Sequence, residues 1–116
     1  MKVGKTADQK KGELARKLPP GFEIVSFDYA EELFGNVIMT AASSDFLVKL
    51  VIDRGLIEGE ILWNTGHRMD IDALMKSHGF PMEKELLEIG VEGYSFDEFA
   101  KFLDDKLETI RQMSHD

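Results

Sequence analysis

Apolar residues are concentrated in three runs near the middle of the chain, and short polar breaks separate these runs. The runs cover 36–42 (NVIMTAA), 46–52 (FLVKLVI) and 56–63 (LIEGEILW), and they are rich in β-branched and large apolar side chains. The breaks at 43–45 and 53–55 are short enough for tight turns between neighbouring strands. The pattern therefore predicts an antiparallel three-stranded meander.

The third run alternates with a period of two, which is typical of a strand with one buried face. Its apolar side consists of Ile57, Gly59, Ile61 and Trp63. Glu58 and Glu60 fall on the other side. One face of the sheet is therefore expected to meet water, and a layer of helices is expected to cover the opposite face.

The segment before the meander predicts a change from extended chain to helix. Alternation over 22–27 is compatible with a short strand. From Asp28 the pattern changes, because Asp28 can cap a helix, Glu31 stands three residues later, and Gly35 can take a positive φ. One or two helical turns over 29–34 are predicted.

The N-terminal part of the chain predicts a helix over 7–18, with Leu14 and Leu18 on one side. The Pro19-Pro20-Gly21 sequence ends this helix, because proline cannot continue the hydrogen-bonding pattern. Residues 1–6 are polar and are expected to form a disordered tail.

Further helices are predicted after the meander. Asp70 can cap a helix that ends at His78-Gly79, and Pro81 suits the first turn of a second helix that continues to about Ile89. Ser95 and Glu98 form a capping-box pair. The helix that follows them has an apolar stripe formed by Phe96, Phe99, Leu103, Leu107, Ile110 and Met113.

These elements predict the fold class. The chain is expected to be a single domain over 1–116, because its length supports one hydrophobic core. Its expected class is α+β, with an antiparallel three- to four-stranded meander packed against about three to four helices.

The distribution of charge along the chain indicates which kinds of macromolecule it can bind. The net charge is -8, but residues 1–17 carry six Lys or Arg against two acids, so the remainder sums to -12. An acidic body repels phosphate and anionic lipid, which disfavours general nucleic-acid binding and membrane binding, and it attracts basic protein surfaces. The N-terminal lysines leave two interpretations open, a solvated helix face or a nucleic-acid arm.

The composition also restricts location and chemistry. Cysteine is absent, which excludes disulfides and thiolate catalysis and suits a reducing compartment. Neither a signal peptide nor an anchor is apparent at the start of the chain. A cytoplasmic location is therefore expected.

No residue pattern predicts an enzyme, a metal site or a cofactor. The nearest metal-ligating group, which comprises His67, Asp70, Asp72 and His78, lacks the spacing of known zinc or calcium motifs. The serine and threonine hydroxyls stand in turn or cap contexts, and no glycine-rich phosphate loop occurs. We therefore expect no catalytic residues and no cofactor.

Asp53-Arg54-Gly55 has two interpretations. It can be a hairpin turn in which Gly55 takes the left-handed conformation, and Arg54 then points into solvent or pairs with a neighbouring acid. Alternatively, Arg54 has a binding or catalytic role.

The run FLVKLVIDRGLIEGEIL, the tryptophan after it, a polar loop and DIDALMKSHGF form one continuous stretch. This stretch, roughly residues 45–80, resembles a pattern in small bacterial proteins, among them immunity proteins of polymorphic-toxin and contact-dependent inhibition systems. The resemblance implies a protein that binds a toxin domain. Because immunity proteins have diverse folds, it implies no residue roles.

Acidity and the resemblance together predict a protein-binding module. We expect an immunity protein that neutralises a cognate basic toxin, such as a nuclease, by stoichiometric binding. The predicted partner-binding residues are Glu58, Glu60, Trp63, Asp70 and Asp72. Trp63 either closes the core at a strand end or anchors an interface, where tryptophan is enriched.

The alternative function is a non-catalytic structural or regulatory subunit of a homo- or hetero-oligomer. Such a subunit would assemble through an exposed sheet edge or an apolar patch. A toxin inhibitor is expected to be a monomer or a dimer when alone, whereas an obligate subunit self-associates.

Overall fold

A computed structural model describes residues 6–30, 36–80 and 93–113. The described residues form a five-stranded antiparallel sheet in which strand order follows chain order. The strands are β1 Glu23–Ala30, β2 Asn36–Ala42, β3 Phe46–Asp53, β4 Leu56–Trp63 and β5 Arg68–Asp70. The predicted meander is therefore confirmed.

Three helices lie in the described part of the chain. They are α1 Ala7–Lys17, α2 Ile71–Ser77 and α3 Phe96–Gln112. Each begins where its sequence provides acceptors for the free amide groups of a first helical turn. Thr6 with Gln9 and Ser95 with Glu98 form complete capping boxes, and the Asp70 carboxylate accepts from the Ala73 amide at 3.0 Å. Within the described residues, no helix is both long and apolar enough to span a bilayer.

The structure confirms the α+β class and corrects two details. The sheet has five strands rather than three to four, because the short β5 pairs with β4. The helix predicted over 29–34 is wrong at its start, since Tyr29 and Ala30 belong to β1 and pair with Val37 and Asn36 of β2. The remainder of that prediction, the helix from Pro81 to about Ile89 and the first five residues lie outside the described residues.

The inner face of the sheet forms one side of the hydrophobic core. Its fully buried members in the three central strands are Val37, Met39, Ala41, Phe46, Val48, Leu50, Ile52, Ile57, Ile61 and Trp63. They meet across the strands, so that Phe46 faces Trp63, Val48 faces Ile61, and Ile52 faces Ile57. The alternation predicted for β4 is therefore confirmed.

The helices complete the same core. Their buried side chains are Leu14, Ile71, Leu74, Met75, Phe96, Phe99, Ala100, Phe102, Leu103 and Ile110. In α3, Phe96, Phe99 and Leu103 recur at three- and four-residue steps, which places an apolar stripe in this core. The described helices thus bury their apolar sides together with one face of the sheet.

The turn between β3 and β4 is a two-residue hairpin. Asp53 pairs with Leu56, and the two residues between them both have positive φ, 54° at Arg54 and 86° at Gly55. Two consecutive positive φ angles match the right-handed twist of a hairpin. The Arg54 amide donates to Asn36 Oδ1 at 3.3 Å, and Arg54 Nε lies 3.8 Å from Asp53 Oδ1. The turn prediction is confirmed, and the left-handed conformation extends to Arg54.

Candidate functional site

The outer face of the sheet contrasts with the core side. In β2, β3 and β4 every residue on this face is at least partly exposed. Two neighbouring apolar side chains stand out, because Ile38 and Val51 are direct partners across β2 and β3 and are 60% and 37% exposed. An exposed apolar pair on an open sheet face provides a surface that another molecule can bury.

Acids lie at both ends of the row that contains this pair. Asp28 of β1 is the cross-strand partner of Ile38, and Glu58 of β4 is the partner of Val51. The row across the four strands therefore reads acid, apolar, apolar, acid. We call the four residues Asp28, Ile38, Val51 and Glu58 the bracketed row.

A second row runs parallel to the first. Thr40 pairs with Lys49, Lys49 with Glu60, and Glu60 with Asp70 of β5. Arg68 Nη1 lies 3.6 Å from Glu60 Oε1 at the solvent-exposed edge. Screening by water makes this exposed ion pair weak, so Glu60 keeps most of its attraction for an incoming cation.

An open groove of about 740 Å³ is lined by residues of both rows, although Asp28 lies outside its lining. Four acids contribute to its lining, namely Glu58, Glu60, Asp70 and Asp72. Lys49 is the one basic residue among its described lining residues, and Arg68 lies beside Glu60, so the four acids outnumber the nearby basic side chains. Ile38 and Val51 also line the groove, which therefore combines apolar surface with net negative charge.

Gly59 sets the local geometry of the groove lining. A Cβ at this position would lie 2.0 Å from the carbonyl oxygen of Lys49 and 3.1 Å from the Cα of Leu50. No side chain fits at such distances, so glycine permits a close backbone approach between β3 and β4. The approach occurs between Glu58 and Glu60, whose side chains both line the groove.

Asp72 lies in an environment that raises its pKa. Burial raises the pKa of its carboxyl group above the ordinary value of 3.8, the charges of Asp70 and Glu58 raise it further, and Lys76 opposes them. Its Oδ1 atom is shielded from solvent and has no hydrogen-bond partner among the described residues. A cation beside this carboxylate would relieve both the repulsion and the missing contact.

Trp63 does not belong to this surface, so its predicted partner-binding role is wrong. Its side chain is 1% exposed and lies on the inner face, opposite Phe46. Its Nε1 donates to the carbonyl oxygen of Ile110 in α3 at 2.8 Å. A buried indole with a satisfied donor closes the core and cannot contact a partner on the outer face.

The histidine and aspartate residues considered for a metal site occupy separate environments. Asp70 and Asp72 line the groove, whereas the His67 ring stacks on Trp63 with a centroid distance of 5.0 Å. His78 Nδ1 lies 3.0 Å from the Leu74 carbonyl oxygen at the end of α2. Among the described residues, no group of three or more metal-ligating side chains is arranged to hold an ion.

Sequence patterns alone did not identify Ile38 and Val51 as surface residues. The runs NVIMTAA and FLVKLVI contain apolar residues on both faces of their strands, so composition does not show which side is buried. The available signal was register. Once the alternation in β4 assigns Glu58 to the outer face, antiparallel pairing places Val51 and then Ile38 beside it.

Comparisons with known proteins identified no relative of this chain. No protein-family model, no curated protein and no solved structure matches this chain. Geometry and charge of the described residues are therefore the main basis for a proposed function.

Proposed function

We propose that this chain is a protein-binding module that uses the outer face of its sheet to bind a basic surface of another protein. The observation that carries this proposal is the groove, where Glu58, Glu60, Asp70 and Asp72 lie on one side of an exposed apolar pair. All four acids were predicted as partner-binding residues from the sequence.

Electrostatics supports a cationic partner. Acids that lie close together repel one another, and the raised pKa of Asp72 reflects partial burial together with the charges of Asp70 and Glu58. A partner that brings Lys or Arg into the groove replaces this repulsion with attraction. The net charge of -8 would also steer a basic protein toward the chain, and association would slow as salt screens the charges.

The specific form of this proposal is an immunity protein that neutralises a basic toxin domain by stoichiometric binding. The resemblance of residues 45–80 to immunity proteins supports it, and that stretch includes Glu58, Glu60, Asp70 and Asp72. Carboxylates that cover a cationic site can imitate the phosphates of a nuclease substrate. The chain itself performs no reaction in this proposal.

The test combines growth rescue with direct binding. The C-terminal domain of the protein encoded by the adjacent upstream reading frame is co-expressed with this chain, and the proposal expects that domain to stop growth alone and the chain to rescue growth. A groove variant combines Glu58→Gln, Glu60→Gln, Asp70→Asn and Asp72→Asn; asparagine retains the capping function at position 70. This variant should lose rescue and should weaken binding at least about tenfold at low salt.

A matched control removes the same number of charges elsewhere. It combines Asp8→Asn, Asp104→Asn, Asp105→Asn and Glu108→Gln, which replace exposed acids on α1 and α3. The control should rescue growth like the unmodified chain. Equal loss in both variants would show that net charge, rather than the groove, governs binding and would overturn the proposal.

A non-catalytic subunit is the second candidate, and the edge of the sheet favours it. In the described sheet β1 is an edge strand of eight residues whose strand partner is β2 alone. Edge strands are templates for pairing with another chain. Analytical ultracentrifugation distinguishes the two candidates, because a subunit should self-associate in a concentration-dependent way, and Val25→Lys on β1 should prevent this.

A further inference from the structure

We infer that the segment of the partner that crosses the outer face of the sheet along the bracketed row, from the groove to β1, is extended and carries one apolar side chain between two basic ones, in the order basic-x-apolar-x-basic. This inference rests on the proposed function and specifies the chemistry of the partner. It follows from the bracketed row, in which the acids Asp28 and Glu58 stand on either side of the apolar pair Ile38 and Val51.

The spacing of the row favours an extended segment. Its four residues lie on four adjacent strands, and neighbouring strands are about 4.8 Å apart, so Asp28 and Glu58 are separated by roughly 14 Å. In an extended chain, residues i and i+4 point to the same side and are also roughly 14 Å apart. In a helix the same two positions are only about 6 Å apart. Basic residues at i and i+4 of a strand therefore match the two acids.

The middle of the row specifies the central residue. Ile38 and Val51 are exposed apolar side chains. An apolar side chain at i+2 would cover this pair and remove it from water. Salt does not screen this contribution, whereas it screens the contacts of the two acids. A partner with lysines alone would therefore neutralise the acids and leave the apolar pair uncovered.

Three synthetic peptides of equal length and charge, each with blocked ends, test the inference on the full chain. The first contains Lys-Ser-Leu-Ser-Lys, the second replaces Leu with Ser, and the third moves the two lysines next to the leucine. Binding is followed by NMR titration, which measures weak affinities and locates the contact. The first peptide should bind about tenfold more tightly than the second, from burial of one apolar side chain.

Variants of the chain assign this preference to the row. Ile38→Thr together with Val51→Thr should remove the preference for leucine and leave the salt-dependent part of binding. The matched control is Val25→Thr, because Val25 is 56% exposed and does not line the groove. Asp28→Asn together with Glu58→Gln should weaken binding of the first and second peptides equally.

The peptide affinities test two parts of the inference separately, the apolar contact and the extended spacing of the basic residues. The inference is supported when the first peptide binds best and shifts the amide signals of Ile38 and Val51. Equal binding of the first two peptides overturns the apolar contact, and equal binding of the first and third overturns the extended spacing. Neither result affects the proposed function, which is decided by growth rescue with the groove and control variants.

Discussion

The two faces of β3 show how one strand serves two purposes. Val48 and Val51 are the same residue type three positions apart, yet Val48 is buried in the core and Val51 is exposed in the groove. Their different roles follow from the alternation of side chains across a strand. On the inner face, burial of a side chain in the core stabilises the fold. On the outer face, a side chain becomes buried only when another molecule binds over it.

Among substitutions that distinguish the inner face from the outer face, Trp63→Ala is expected to cause the largest loss of stability. Trp63→Ala removes a fully buried side chain and the hydrogen bond to Ile110, so the free energy of unfolding should fall by about 3–5 kcal/mol. Urea denaturation followed by circular dichroism measures the change. Trp63→Phe is the control, because it keeps an aromatic ring and loses the donor, at a cost of about 1–2 kcal/mol. A loss below about 1 kcal/mol for Trp63→Ala would contradict the core assignment.

Gly59 lies where the backbone of β3 leaves no space for a side chain on β4, and it provides the next test. Gly59→Ala places a methyl group against the backbone of Lys49, so the strands must move and stability should fall by about 3 kcal/mol. The control is Gly12→Ala in α1, where a Cβ would lie 3.5 Å from Arg16 Nη1, an ordinary contact distance. The control should stabilise the protein by about 0.5–1 kcal/mol, because glycine disfavours a helix interior. Thermal unfolding of both variants tests the contrast.

The same substitution, valine to threonine, can be compared at Val48 on the inner face and at Val51 on the outer face. Val48→Thr buries a hydroxyl group in the core and should cost about 2 kcal/mol of unfolding free energy. Val51→Thr should change stability by less than about 0.5 kcal/mol, because its hydroxyl meets water. Equal losses in chemical denaturation would show that the two faces do not differ as described.

The smallest expected effect is the pH dependence from Asp72. Burial and the neighbouring acids raise the pKa of its carboxyl group in the folded protein above 3.8, so the folded state binds the proton more tightly than the unfolded chain. The charged carboxylate therefore lowers stability at neutral pH, and this cost disappears as pH falls toward 3.8. Asp72→Asn should gain stability relative to the unmodified chain between pH 4 and pH 7, by less than about 1 kcal/mol because solvent screens the charge.

The control for this prediction is Asp105→Asn, which removes one exposed charge from α3. Unfolding free energies of both variants and the unmodified chain are compared at each pH. A difference between Asp72→Asn and the unmodified chain that stays constant with pH, or that grows toward acid, would contradict the direction of the pKa shift.

The sequence predicted those elements that depend on local physics. The three central strands, the capping pair of Ser95 and Glu98, and the hairpin at Asp53-Arg54-Gly55 are all confirmed. Each depends on residues close together in the chain, such as an alternating pattern, a hydroxyl beside free amides, or a glycine at a turn. The sequence also places Glu58 and Glu60 on the outer face of the hairpin and Asp70 and Asp72 at its open end, and all four line the groove, although their role in binding a partner stays a prediction.

The errors arose where distant residues decide the outcome. Asp28 has the chemistry of a helix cap, but pairing with Ile38 keeps it in β1. The short β5 has no strong strand pattern and exists because β4 offers an unpaired edge. The choice between core and interface for Trp63 depended on Ile110, which only the fold brings near. Tertiary contacts outweighed local propensity in all three cases.

The hydrogen bond between Trp63 and α3 also gives this protein a built-in optical reporter. The chain has one tryptophan, and its indole bonds a carbonyl group 47 residues further along. Separation of α3 from the sheet breaks that bond and wets the ring, so emission from the indole shifts to longer wavelengths. The moment at which the last helix docks during refolding can therefore be timed without any attached dye.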